Sequence, residues 1–408
     1  MIVLWITNIE VPEIARHFGR DSFIGGWLAN TSRLLSERQE VELHILGKAY
    51  ENYDEVLING IYYSSFIEEE ADQRMPEIIE AVKPDIIHIW GTEYYHSYPA
   101  IKAAENKGLL DKTIVSIQGL ITYISLYHYY CFLPERIIKK YTLSGIKNNL
   151  TIEKDRNEML RLSEYERNTL KTAKSCIGRT EWDCSGVKSI NKDINYFKCN
   201  EIMRSSFYSY KWNFEDCNHF SVFFSQANYP LKGFHIMLEA AGIIKKQYPS
   251  FQIRVLGRSI ENNLNSYLHD SAYQRYLREL INRYDLWENI SWLGNLKEEE
   301  MVEEYLKCNV FVCSSSIENS SNSISEAMLL GVPIVASDAG GVKSLMNDKQ
   351  EGFLYQSDAP YLLAYDVIKM FENPSLAIEL GNKARERALV DHDQKANTDR
   401  LLYIYKNL

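Results

Sequence analysis

Residues 314–342 read SSSIENSSNSISEAMLLGVPIVASDAGGV and carry two glutamates, Glu318 and Glu326, with seven residues between them. The gap is nearly all Ser and Asn, and no Lys or Arg lies within the stretch to pair with either acid. The preceding NVFVCSS is an apolar strand signal. SISEAMLLG reads as a helix, with Gly331 as its cap and Pro333 as a stop. Glu318 then falls in the loop just past the strand, and Glu326 in the first turn of the helix. Ser320, Ser321, Asn322 and Ser323 put small side chains and unbonded backbone N–H groups at the helix start, which is an anion site. Glu326 has a second reading, because Ser323-x-x-Glu326 is also a capping box. Glu318 has no such role. An acid beside an anion site opposes phosphate, so its cost needs an offsetting task such as accepting hydrogen bonds from hydroxyls.

Other residues of chemical interest also follow strand signals. Lys232 and Gly233 open a helix after FSVFFSQ, where a lysine can meet phosphate charge. Gly25 and Gly26 open a helix in FIGGWLAN and allow close approach to backbone N–H groups. Gly257 and Gly294 end their strands as tight turns at a nucleotide site require.

These residues need a scaffold that places strand ends together. The first half has short apolar runs at 2–7, 41–47, 85–91, 113–119 and 175–180, with helical periodicity between most of them. The second half repeats the rhythm at 220–226, 251–257, 289–294, 309–315 and 333–338. Strands alternating with helices imply parallel sheets covered on both faces, with ligands beyond the carboxyl ends of the strands. The expectation is therefore an α/β chain of two Rossmann-like, doubly wound domains facing across a cleft. The boundaries read as 1–207, 208–385 and a terminal helix at 386–408 crossing back toward the first domain. A segment at 120–165, aromatic and then basic, breaks the rhythm and reads as a lobe inserted in the first domain. It is either a helical pair or a surface for acceptor or membrane.

Composition narrows the class. The 408 residues carry a net charge of −10, which argues against nucleic acid as a partner. The seven cysteines show no C-x-x-C spacing and read as reduced, buried thiols of a cytoplasmic protein. No signal peptide or transmembrane run is seen, which weighs against an exported solute-binding protein. No G-x-G-x-x-G follows the first strand, which weighs against a dinucleotide oxidoreductase.

The Glu-x7-Glu pair around a Ser-rich helix start, with EAMLLGVPIVAS behind it, resembles the retaining glycosyltransferases of family 4. GG after the first strand, KGF in the second half, Gly257, Gly294 and DAGGV support the resemblance, in order along most of the chain. It implies a GT-B fold and transfer of a sugar from a UDP- or GDP-sugar to a glycan or lipid-linked acceptor, as in bacterial surface polysaccharide synthesis. By position, Glu318 would meet donor sugar hydroxyls, Glu326 the ribose, Lys232 the diphosphate, and Gly26 with Gly25 would admit it. Ser321, Asn322, Ser323, Gly257 and Arg258 complete the donor set. No metal or other cofactor is implied. Two positions depart from the family. An Arg expected five residues before Lys232 is Ala227, and a His expected after the fourth strand is Gln118. Arg204 or Arg258 is the expected replacement cation, with Arg179 a third candidate. Gln118 would orient the donor. Glu93 and His88 are the acceptor candidates, although a core role suits His88 better. A peripheral contact with the inner membrane face through 120–150 is a further expectation. The rival readings are a nucleotide-sugar epimerase of the same fold and a non-catalytic transferase-like subunit.

Overall fold

The computed structural model describes residues 1–20, 25–142 and 151–408. Residues 143–150 of the aromatic and basic segment lie outside them. The chain divides into two compact units, one of residues 1–123, 159–204 and 391–408, the other of 124–158 and 205–390.

The first unit is built on an eight-stranded sheet. Its strands are β1 (Ile2–Thr7), β2 (Glu42–Lys48), β3 (Val56–Ile58), β4 (Ile61–Phe66), β5 (Ile86–Trp90), β6 (Thr113–Ser116), β7 (Ser175–Gly178) and β8 (Asn195–Lys198), in the order β3-β4-β2-β1-β5-β6-β7-β8. All neighbours are parallel except β3 and β4, which form a hairpin over Asn59-Gly60. Both hairpin residues have positive φ, 49° and 79°, the two-residue turn that suits strand twist. Alternation along β1 sorts side chains to opposite faces. Val3 and Trp5 pack with Leu28, Leu35, Leu401 and Tyr405, and Leu4 and Ile6 with Met75, Ile79, Ile101 and Leu170. Covering both faces explains why these strands read as unbroken apolar runs. The helix Gln394–Lys406 belongs to this unit. Its Tyr405 hydroxyl accepts from Trp5 Nε1 at 3.0 Å and lies 2.6 Å from His88 Nδ1.

The second unit has a six-stranded parallel sheet, β9 (Asn218–Phe224), β10 (Gln252–Leu256), β11 (Ile290–Gly294), β12 (Cys308–Cys313), β13 (Ile334–Ser337) and β14 (Phe353–Tyr355), in the order β11-β10-β9-β12-β13-β14. The order reverses at β9 and β12, the switch point where ligands bind in open α/β sheets. Val222, Phe224, Ile253, Val255, Val310 and Val312 build one core with Phe234, Leu277 and Leu363 from helices.

The aromatic segment departs from expectation. Residues 124–158 group with the second unit, not the first. Leu133, Ile137 and Ile152 are buried in the second unit's core. His235 Nε2 lies 2.8 Å from the Cys131 carbonyl, and Arg136 and Lys140 both reach Glu279, at 2.8 and 3.3 Å. Apolar burial and the two ion pairs decide where it packs.

Candidate functional site

The loop after β12 is laced to the turn after β9. Ser316 N donates to the Leu231 carbonyl at 2.8 Å, and Ser314 Oγ to the Gly233 carbonyl at 2.8 Å. Gly233 has φ 71°, and a Cβ there would lie 1.9 Å from the Ser314 carbonyl oxygen, so no other residue fits. This lacing brings Lys232 to Glu318, with Nζ 2.6 Å from Oε1. Ser315 Oγ donates to the same oxygen at 2.6 Å. Burial works against the lysine's charge, but the Glu318 carboxylate more than offsets it and holds the ammonium well above its ordinary range. The DAGG turn closes over this loop. Gly341 N donates to the Glu318 carbonyl at 2.8 Å, and a Cβ on Gly340 would strike that carbonyl.

The helix behind the loop is Asn322–Leu330. Its cap is Ser321, without a side-chain capping bond, so Ser323 is an interior residue and the capping box does not form. Glu326 is accordingly the fifth helical residue, not part of the first turn. It is buried, with the Tyr305 hydroxyl at 3.5 Å, while that hydroxyl donates to the Ser323 carbonyl at 3.0 Å. Ser321 and Ser323 hydroxyls lie 3.1 Å apart at the helix start. Gly257 has φ 131°, and Asn228 Oδ1 fills the space a Cβ would need while accepting from Arg258 N at 2.8 Å. Arg258 itself is exposed, and Ala227 is buried.

In the first unit, Gly25 has φ 83° and caps the helix Gly26–Ser36. The aliphatic stem of Arg204 lies over Gly26, close enough that a Cβ would come within 2.8 Å of it. Arg204 and Gly26 are therefore brought together. His88 is not a ligand-facing residue. It is fully buried between Tyr405 and Ser116, at 2.6 Å from each, and burial lowers its pKa to about 3. Its strand alternation points it into the core, which the sequence reading already favoured.

Arg179 is also removed from the list of phosphate cations. Its Nη1 lies 2.6 Å from Glu201 Oε1, and its Nη2 donates to the carbonyls of Ile117 at 3.0 Å and Gln118 at 3.3 Å. Gln118 Oε1 is 3.4 Å from the same nitrogen, so the glutamine sits beside a buried ion pair. Glu93 folds back over Gly91, accepting from Thr92 N at 2.7 Å, and a Cβ on Gly91 would meet it at 2.7 Å. Burial pushes Glu93 up to about 7, against the pull of Thr92 N–H and Arg179. Sequence reasoning missed Glu166 and Glu201. Glu166 is fully buried, accepts from Thr122 N and Oγ1 at 2.8 and 2.6 Å and from Ile121 N at 3.1 Å, and is raised by burial to about 7. Neither stands in a recognisable motif, and only the fold gathers them at the ends of β5 to β8.

Residues 211–387 match the family model described as glycosyl transferases group 1. The match covers β9 to β14 and the Lys232–Glu318 loops. A D-inositol 3-phosphate glycosyltransferase of Corynebacterium urealyticum is 24% identical over 184 residues, 44% of this chain and 41% of that one. The chain spans 40 to 42% of the length of such curated relatives. Sucrose-phosphate synthase from Thermosynechococcus elongatus is similar in structure, with TM-score 0.70 and 14% identity over 100% of this chain and 99% of that one. Anabaena Alr3699/HepE in complex with UDP and glucose gives 0.68 and 14%, covering both chains fully. At that identity the likeness is one of fold, two Rossmann-like domains of the GT-B class.

Proposed function

We propose that the chain is a retaining glycosyltransferase that moves a sugar from a UDP- or GDP-sugar to a glycan or lipid-linked glycan. The observation that carries this is the Lys232–Glu318 pair, set at the sheet's switch point beside an uncapped helix start. The group 1 match over the same residues and a structural neighbour described with UDP and glucose support it.

In this reading Lys232 turns from Glu318 to the diphosphate, adding its charge to the first-turn N–H groups around Ser321, Asn322 and Ser323. Stabilising the departing diphosphate is the main catalytic contribution, and no metal is invoked. Glu318, relieved of its lysine, accepts hydrogen bonds from sugar hydroxyls. Glu326 accepts from the ribose, and Gly257 and Arg258 border the base. Gly25, Gly26 and Arg204 form a second helix start with a cation over it. Gln118 orients substrate and Glu93 meets the acceptor. Exposed Tyr127, Phe132, Arg136 and Lys139 are the surface proposed to touch an anionic membrane. No helix among the described residues is long and apolar enough to cross one.

The test is release of UDP or GDP from a nucleotide-sugar panel with and without a glycan acceptor. Acceptor-stimulated release is expected. Epimer formation without acceptor would favour the epimerase, and no turnover with intact nucleotide binding would favour a supporting subunit.

A further inference from the structure

The carboxyl ends of β5 to β8 gather Glu93 and Glu201 around one guanidinium, with Glu166 beside Glu93. Glu93 interacts electrostatically with Glu166, Glu201 and Arg179. Arg179 is held by an ion pair with Glu201 and by Nη2 hydrogen bonds to two backbone carbonyls, so the surplus charge of the cluster is negative. Beside it lies a cavity of about 20 Å3, within the first unit. Trp90, Ile177 and Leu401 are among its apolar walls, and Gln118, Arg179 and Glu201 share its polar lining with Thr31, Ser116, Asn200 and Asn397.

Glu201 is the informative residue. Its side chain is 7% exposed, yet among the described residues neither carboxylate oxygen accepts a hydrogen bond. Arg179 Nη1 is near Oε1 but does not meet hydrogen-bond geometry, and Oε2 has no donor. A buried carboxylate can accept several hydrogen bonds, and leaving them unmade is costly. The cavity exceeds the roughly 10–15 Å3 that one water-sized group needs and is too small for a sugar ring.

We propose that this cavity is a binding site for one hydrogen-bond-donating group, a hydroxyl or ammonium on a polyhydroxylated or amino-bearing ligand, which donates to Glu201. Phosphate and carboxylate groups are turned away on two grounds. They are larger than the space, and they would face Glu201 while Arg179 is already taken. Under the glycosyltransferase reading, on which this part rests, the ligand is the acceptor and the cavity selects neutral or amino sugars over sugar phosphates.

The test uses the full chain and three probes, methyl glucoside, glucosamine and glucose 6-phosphate, titrated calorimetrically at equal ionic strength, with UDP titrated separately. The first two are expected to bind at least tenfold tighter than the phosphate. Glu201→Gln is expected to shrink that preference at least fivefold. Glu201→Asp, which keeps the charge and withdraws it by one methylene, should weaken both favoured probes and serves if the Gln variant does not fold. Tighter binding of glucose 6-phosphate, an unchanged preference in the variants, or binding of none of the probes with only a structural water in the cavity would overturn the proposal. Failure of both UDP and GDP, titrated in the same way, to bind while the probe preference holds would overturn the donor reading and leave this one standing.

Discussion

Two ion pairs of equal length serve opposite ends in this chain. Lys232–Glu318 and Arg179–Glu201 are both closed at 2.6 Å. The first lies on loops, its lysine 27% exposed, with a flexible ammonium facing a single carboxylate. The second is buried, its guanidinium 4% exposed and tied to two backbone carbonyls as well. A pair with a partly exposed, flexible member exchanges partners more easily than a fully buried one. A buried one leaves an uncompensated charge when broken. Availability for phosphate is therefore set by how many other bonds hold the cation, and only Lys232 is placed to exchange.

That contrast is broken most forcefully by Arg179→Met. It should destabilise the fold by about 3–5 kcal/mol, through the stranded Glu201 carboxylate. Calorimetry checks it, and an unchanged Tm would show that the pair is not structural. Lys232→Ala should do the reverse, lowering kcat for sugar transfer about 10^2–10^3-fold while moving Tm far less. Equal losses of stability in both variants would erase the distinction.

Glu318→Gln sharpens it further. Removing the carboxylate releases Lys232, so UDP affinity should hold or rise while turnover falls about tenfold or more, the loss of a hydrogen bond to a charged group. Weaker UDP binding would place Glu318 on the nucleotide directly. Glu326→Gln should weaken UDP roughly tenfold with little change in Tm, on the same scale of a charged hydrogen bond.

The smallest effect concerns pH. Burial lifts Glu93 and Glu166 to about 7. Between the ordinary carboxylate range and that value the folded chain holds protons that the unfolded chain has released, so stability falls as pH rises and levels off above about 7. Glu93→Gln should flatten part of this fall, read as Tm at pH 5 and pH 8. A variant with the wild-type slope would contradict the burial argument.

Much of this was legible in sequence because it is local. β1 matches its apolar run residue for residue, and the other core strands agree to within a few positions. The hairpin at Asn59-Gly60 carries a turn signal in LINGIYY, but β3 has only three residues, none of them buried, too short a run to read as a strand. Long-range pairing was not legible. Glu318 looked unpaired because its lysine is 86 residues away in the chain. Arg179 and Glu201 meet only because β7 and β8 are neighbours in the sheet. The Ser323–Glu326 spacing fits a capping box, yet the helix begins earlier, at Asn322, and the spacing alone does not locate a cap. The aromatic segment was assigned to the wrong unit for a related reason. Position in the chain does not say which core will bury Leu133, Ile137 and Ile152.

The central claim is that Lys232 leaves Glu318 for a nucleotide diphosphate. Calorimetric titration of UDP and GDP into the wild-type chain, Lys232→Ala and Glu318→Gln tests it most directly. One nucleotide is expected to bind the wild type, to bind Lys232→Ala at least tenfold more weakly, and to bind Glu318→Gln at least as tightly as wild type. Equal affinity for wild type and Lys232→Ala, or binding of neither nucleotide by any of the three, would contradict it.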